Sequence, residues 1–399
     1  MDYPKLFCPS MWKSIHVDAD GFLTPCCIHI DKEDKNLRIE DVDHIEEVLL
    51  NKHKEWRQML HDGIWPEGCH QCKFAESEGR SSKRLQDIQG YNVIKKGDFE
   101  PGLEYLQLKT GRICNLQCSI CTPSCSTSIA SHLLKIGEID QNYYDILQQE
   151  IAWASDINEY KKMDSKTGYY RIDIAGGEPL LNNTHFEWLN NLKNPENTQL
   201  LYNSNGTIRP SEEQIKVWDK FKGISMSYSI DSYDDRFEKL RKGAKWDTVV
   251  SNLKYFQEEL VNKRFNPQTS NICIVMTIHA ENIMDIIQLY ERLTETVEFS
   301  NPEPLNLNYL YYPEFKAAHY MPRIYLEETI NLIENNINRL PANSKIFNEV
   351  LNIKNSLITF LSDKTVVTPR PVDFDHRKHL DLDFIKQGIE KNKIYFKER

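Results

Sequence analysis

Between residues 103 and 313 the chain alternates between two hydrophobic periods, and this constrains its fold more than any other feature. Six stretches read as strands: 103–111 (LEYLQLKTG), 169–177 (YYRIDIAGG), 199–206 (QLLYNSNG), 224–232 (ISMSYSIDS), 271–279 (NICIVMTIH) and 305–313 (LNLNYLYYP). Each is apolar, rich in β-branched or aromatic residues, and bounded by Gly, Pro, Asn or Asp. Between them lie amphipathic stretches such as THFEWLNNLKN, SEEQIKVWDKF, WDTVVSNLKYFQEELV and NIMDIIQLYERL, several opening on Ser, Thr or Asp at an N-cap. Strand–helix alternation implies a parallel sheet. Six units fall short of the eight that close a full barrel. The expected fold class is therefore α/β, a partial (β/α)6 TIM-type barrel, with a doubly wound sheet as the alternative.

The flanks differ. Residues 1–90 lack the alternation and form a small cysteine-rich module: IHVDADGFLTPCC reads as a hairpin around an Asp-Gly turn, IEEVLLNKHKEWRQMLHDG as a helix, and CHQC follows. Downstream, YLEETINLIENNINRL and IFNEVLNIKNSLITFL read as two amphipathic helices, and TPRPVDF connects them to a helical tail. The expected domains are residues 1–90, 100–315 and 316–399, the last a helical C-terminal extension.

Nine of the ten cysteines precede residue 126: Cys8, Cys26, Cys27, Cys69, Cys72, Cys114, Cys118, Cys121 and Cys125. No apolar run approaches the roughly 20 residues of a transmembrane helix, and the first residues lack a signal-peptide layout. The protein is therefore expected in the cytoplasm with no membrane partner. Disulfides are rare there, so clustered cysteines indicate metal or catalysis. Cys273, in the fifth strand, reads as a small buried hydrophobe. With 49 Lys and Arg against 59 Asp and Glu, the net charge of −10 argues against nucleic acid as a main partner.

CNLQCSIC (114–121) sets three thiols at a C-x3-C-x2-C spacing directly after the first barrel strand. Loops at the carboxyl ends of parallel strands are where such folds hold their chemistry. A zinc knot completed by Cys125 is one reading. The other is a 4Fe–4S cubane held by three thiolates, which leaves one iron open to an outside ligand. In the N-terminal module, a hairpin brings Cys8 near Cys26, and the loop after the long helix delivers Cys69 and Cys72. Those four saturate one metal centre, as a zinc ribbon or a cluster. Cys27 is a spare that could replace Cys26. The histidines of this region, His70 among them, and the basic run GRSSKR (79–84) are expected on the solvated surface. The YLYYP aromatics are expected at the barrel mouth or packed against the C-terminal helices.

The three-cysteine loop resembles the signature of the radical S-adenosylmethionine (SAM) superfamily, C-x3-C-x-Φ-C, with Ile120 at the position that is usually aromatic. The resemblance covers much of 103–313. AGGEP (175–179) follows the second strand as the family's GGEP does, which implies SAM amino-group binding at Gly176, Gly177, Glu178 and Pro179. NSNG (203–206) ends the third strand like the family's ribose-side element, which implies Asn203 and Asn205. SIDS (229–232) ends the fourth, and Arg241 follows; Ser229, Asp231 and Arg241 are thereby implied at the SAM carboxylate. The implied chemistry is reductive cleavage of SAM to a 5′-deoxyadenosyl radical, with Cys114, Cys118 and Cys121 as the catalytic cluster ligands and flavodoxin or ferredoxin as electron donor.

The N-terminal module, C-x12-G-x4-C followed by C-x2-C, resembles the auxiliary-cluster SPASM module in its one-cluster twitch form. It differs in preceding the barrel and in lacking cysteines for a second auxiliary cluster. The resemblance implies an auxiliary 4Fe–4S cluster on Cys8, Cys26, Cys69 and Cys72. The expected substrate is a peptide or protein side chain, with a small metabolite or nucleotide precursor as the alternative. A zinc-stabilised interaction protein without catalysis is the alternative of another class.

Overall fold

A computed structural model describes residues 5–30, 37–77, 81–90, 99–310, 313, 316–362 and 380–399. Among the described residues the strands are β1 (Ser14–Val17), β2 (Leu23–Thr24), β3 (Tyr105–Lys109), β4 (Gln117–Cys118), β5 (Arg171–Ala175), β6 (Gln199–Ser204), β7 (Gly223–Ser229), β8 (Arg241–Lys242), β9 (Asn271–Ile278) and β10 (Leu305–Tyr309). All six strands expected between 103 and 313 are present: β3, β5, β6, β7, β9 and β10. The connector TPRPVDF, Gly79 and Arg80 of GRSSKR, and Tyr311 and Tyr312 lie outside the described residues. Among the described residues no helix is long and apolar enough to cross a membrane.

The chain divides into two compact units. The first comprises Met1–Asn115, Thr122–Asn203 and Pro210–Ser225, and the second Leu116–Cys121, Ser204–Arg209 and Met226–Arg399. In the first unit the hydrogen-bonded strand order is β2-β1-β3-β5-β6. The β1–β2 hairpin is antiparallel, and the other pairs are parallel. Its turn forms because the Asp18 carboxylate accepts from the amides of Asp20 and Phe22, while Gly21 adopts φ +84°.

Alternation along these strands builds two unlike faces. Ile15, Val17, Leu106, Leu108, Ile172, Ile174, Leu200 and Tyr202 are all shut from solvent. In register on the opposite face run Ser14–Tyr105–Arg171–Gln199 and His16–Gln107–Asp173–Leu201. Parallel strands covered on both sides are usually apolar throughout. Here one face of the first unit's strands is polar.

Four helices belong to the N-terminal part of this unit: α1 (Pro9–Lys13), α2 (His53–Asp62), α3 (His70–Ser77) and α4 (Lys83–Gly90). Phe7, Met11, Trp12 and Leu60 form a small core there, and Tyr105 of β3 belongs to the same cluster.

The second unit holds β9 and β10 in parallel, with β7 beside β9, and a separate antiparallel pair, β4–β8. The C-terminal helices Arg323–Asn336, Lys345–Ser362 and Leu382–Glu398 appear as expected. Neither run of strands closes into a ring, so the sheet is open, as a partial barrel requires.

Helix starts follow their caps. Ser211 caps Glu212–Trp218 in a reciprocal capping box with Gln214. The helix Asn183–Asn190 is capped by Asn182 and not by Thr184, and Lys245, which contributes no side-chain cap, precedes Trp246–Tyr255.

Candidate functional site

All ten cysteines are free thiols. Cys8, Cys26, Cys69 and Cys72 line one pocket of the first unit, with about 450 Å³ of atom-free space. Cys8 precedes α1, Cys26 follows the hairpin, Cys69 ends the turn before α3, and Cys72 lies in the first turn of α3. Cys27 is exposed, does not line the pocket, and donates its amide to Gln107 Oε1 at 3.3 Å. Burial, then the neighbouring Cys69 thiol, push Cys8 up to about 12. Burial, then Cys26 and Cys72, push Cys69 up to about 12. Burial, then Cys8 and Cys27, push Cys26 up as well. Cys8, Cys26 and Cys69 each resist ionisation partly through a neighbouring thiol, which suits a cation that would neutralise them together.

His70 is exposed, as expected, and does not line the pocket, whereas His29 does, its Nδ1 3.9 Å from Cys69 Sγ. The expectation that the histidines are mostly solvated is corrected: His16, His29 and His53 are buried because they face the polar side of β1 or pack on Trp56. Of GRSSKR, Lys83 and Arg84 are not free in solvent. They begin α4 half-buried, line the cysteine pocket, and pair with Asp87 and Glu76.

In the first unit, AGGEP follows β5. Gly177 donates to Gly111 O at 3.1 Å, and Glu178 donates its amide to Ile113 O at 2.7 Å. A Cβ on Gly177 would stand 2.3 Å from Ile113 O, and one on Gly176 (φ +132°) 2.8 Å from Gly111 O. Both glycines are therefore required where the loop crosses the backbone leading to Cys114. With those amides engaged, the loop offers carbonyl acceptors, the groups an ammonium needs. Glu178 is buried and its Oε1 caps Leu180 N at 3.2 Å; Pro179 begins that turn. Cys114 is half-buried, with its amide on Thr127 Oγ1 at 3.2 Å, and Cys125 is exposed. Asn203 stands exposed in β6.

The second unit contains Cys118 and Cys121. Cys118 in β4 pairs with Arg241 in β8, and Ser119 N donates to Leu240 O at 2.8 Å. Arg241 Nη2 is 2.7 Å from Asp231 Oδ2, while its Nη1 reaches Cys118 Sγ at 3.9 Å. A hydrogen bond from Cys121, and then the Arg241 charge, draw the Cys118 thiol down to about 7 against the opposing effect of burial. Asp231 is itself fixed: its Oδ1 accepts from Thr277 N, and its backbone carbonyl accepts from Asn282 Nδ2, both at 2.9 Å. Ser229, half-buried, ends β7. Asn205 is buried and accepts from Thr207 N and Oγ1, so its side chain builds the turn. Cys273 is half-buried, its Sγ 3.0 Å from Ser227 Oγ. Among the described residues no three His, Cys, Asp or Glu side chains are gathered closely enough to hold a metal ion as they stand.

Residues 108–293 match the radical SAM superfamily, and residues 8–73 match SPASM, an iron–sulfur cluster-binding domain. GTP 3′,8-cyclases from Alkaliphilus metalliredigens and Alkaliphilus oremlandii are each 21% identical, over 49% and 47% of this chain and 54% and 52% of their own. The chain thus spans about half the length of the curated relatives it matches. Among solved structures, anSMEcpe with bound AdoMet and the Cp18Cys peptide shares 17% identity over 60% of each chain, at a TM-score of 0.36. SuiB of Streptococcus suis bound to S-adenosylmethionine shares 16% identity over 77% of this chain and 65% of its own, also at 0.36. The two matched domains define an iron–sulfur protein with a SAM-binding domain. The chain thus carries a central radical SAM domain and an N-terminal SPASM domain, the kinds of domain that in enzymes use SAM and 4Fe–4S clusters.

Proposed function

We propose that this chain cleaves SAM reductively and uses the resulting radical to take hydrogen from a peptide or protein side chain. The observation that carries the reading is the C-x3-C-x2-C loop with Cys118 already drawn toward thiolate beside a buried arginine. Cys114, Cys118 and Cys121, three thiols within eight consecutive residues, ligate the SAM-binding cluster. When bound, cluster and SAM supply a one-electron cleavage of the S–C5′ bond, giving methionine and a 5′-deoxyadenosyl radical.

The protein's residues then bind and orient. Arg241, held by Asp231, and Ser229 receive the carboxylate of SAM. The carbonyls of Gly176 and Gly177 accept from its ammonium, with Glu178 and Pro179 fixing that turn. Asn203 serves the ribose, while Asn205 shapes the loop. Cys8, Cys26, Cys69 and Cys72 hold the auxiliary cluster, Cys26 being favoured over Cys27 because only Cys26 lines the pocket. We further propose the domain division 1–90, 100–315 and 316–399, a cytoplasmic location, and flavodoxin or ferredoxin as electron donor.

A second reading keeps the chemistry and changes the substrate to a small metabolite or nucleotide precursor. The 21% identity to GTP 3′,8-cyclases favours it, whereas the peptide reading rests on the resemblance of the N-terminal module to SPASM and twitch relatives, which often modify peptides or proteins.

Anaerobically purified protein should carry about eight irons and matching sulfide, and with dithionite and SAM it should release 5′-deoxyadenosine. Cys118→Ala should abolish that release and remove about half the iron. Colourless protein containing zinc would overturn the proposal. A deuterated peptide or nucleotide separates the substrates by which one passes its label into 5′-deoxyadenosine.

A further inference from the structure

The cysteine pocket of the first unit has charged walls. Lys83 Nζ lies 2.9 Å from Asp87 Oδ1, and Asp87 Oδ2 accepts from Ser10 Oγ at 2.6 Å. Arg84 forks onto Glu76 at 2.5 and 2.9 Å and donates to Phe7 O at 2.8 Å, with its guanidinium 5.4 Å from the Trp65 ring centroid. These contacts fix the three charged groups against the quartet, and Lys83, Arg84 and Asp87 all line the pocket that the four thiols share.

One electron added to a four-thiolate centre makes an already anionic group more negative. A fixed cation nearby favours that addition, and a fixed anion resists it. The four thiols are partly to fully buried, so water screens these interactions less than at the surface.

We propose that Lys83 and Arg84 raise the reduction potential of the iron–sulfur centre on Cys8, Cys26, Cys69 and Cys72, while Asp87 pulls it down from the same wall. The proposal rests on the reading that these four cysteines hold a cluster. Its consequence is a centre whose readiness to take an electron is set by the two cations against the carboxylates they pair with, Asp87 and Glu76. Lys83 and Arg84 are positioning residues that act through the thiolates.

The test uses the full chain with Cys114, Cys118 and Cys121 all changed to Ala, so that one centre remains. It is titrated with dithionite under controlled potential and followed by the EPR signal of the reduced cluster. At the potential where this parent is half reduced, Lys83→Met and Arg84→Met should each lower the ratio of reduced to oxidised centre by about three- to tenfold. Asp87→Asn should raise that ratio. Lys83→Arg and Arg84→Lys should restore the parent value. Unchanged ratios in the Met variants, or a shift of the same sign for Asp87→Asn, overturn the tuning role. Should Lys83→Met or Arg84→Met lose its iron, Asp87→Asn still decides the matter by its sign. A parent without about four irons overturns the cluster reading itself, a result that iron analysis gives before any titration.

Discussion

Asp231 and Arg241 show how much a single pair can carry. Both are buried, and one guanidinium nitrogen is held by the carboxylate while another approaches Cys118. Asp231→Ala strands a buried cation, which costs about 3–5 kcal/mol. Urea unfolding should show that loss, and the affinity for SAM should fall with it. His16 and His185 make a different prediction. Burial holds each near a pKa of about 3, well below the ordinary 6.5. The unfolded chain therefore binds protons that the native state refuses. Their contribution is present above pH 6.5 and is lost as pH falls toward 3, by about 1.4 kcal/mol per pH unit for each histidine. In His185→Gln the acid limb of a stability–pH curve should be shallower by one such slope. At this scale the sequence favoured Cys26 over Cys27 only by its G-x4-C spacing from Gly21, a difference of one position that leaves the neighbouring thiol as a spare. It also placed Lys83 and Arg84 in solvent, since a basic run carries no record of the acidic partners that half-bury it.

At the scale of elements, the crossing of AGGEP over the Cys114 segment is the tightest joint. Gly177→Ala places a methyl against Ile113 O, and the segment must move. We expect a loss of about 2 kcal/mol and of up to half the iron, read by unfolding and by iron analysis. Gly102→Ala, with no atom within 4 Å of its added carbon, is the control and should change neither. The six barrel strands were legible because β-branched and aromatic runs bounded by turn residues are local signals. The β4–β8 pair was not. Two-residue strands joined across more than 120 positions leave no periodicity, and they are what bring Arg241 to Cys118. Nor does alternation reveal that one face of β3 and β5 is polar, since Tyr105, Gln107, Arg171 and Asp173 read equally well as a solvated side.

Across the whole molecule, the C-terminal helix Leu382–Glu398 is bound into the second unit through one buried network. Arg236 meets Asp285 at 2.8 Å and the carbonyls of Phe384 and Glu281; Asn392 donates to Asp285 Oδ1 at 2.9 Å. A chain ending before Asp381 would take the Phe384 carbonyl from Arg236 and Asn392 from Asp285. Its unfolding midpoint should fall by several degrees, and Asp285→Ala, which strands the arginine, should act in the same direction. The helices themselves were legible as amphipathic repeats. Their anchor was not, because a buried arginine and aspartate 49 positions apart look like any other charged residues until the fold pairs them.

The parallel pairing of β1 with β3 makes the cysteine-rich amino-terminal part something other than an appendage. Ser14 to Val17 form the neighbouring ladder of Tyr105 to Leu108. Excising the first ninety residues would bare the backbone edge of the five-residue β3, ready to recruit strands from other chains. Any evolutionary or laboratory exchange of that portion must therefore deliver a replacement strand in the same register, which ties its inheritance to that of the catalytic scaffold.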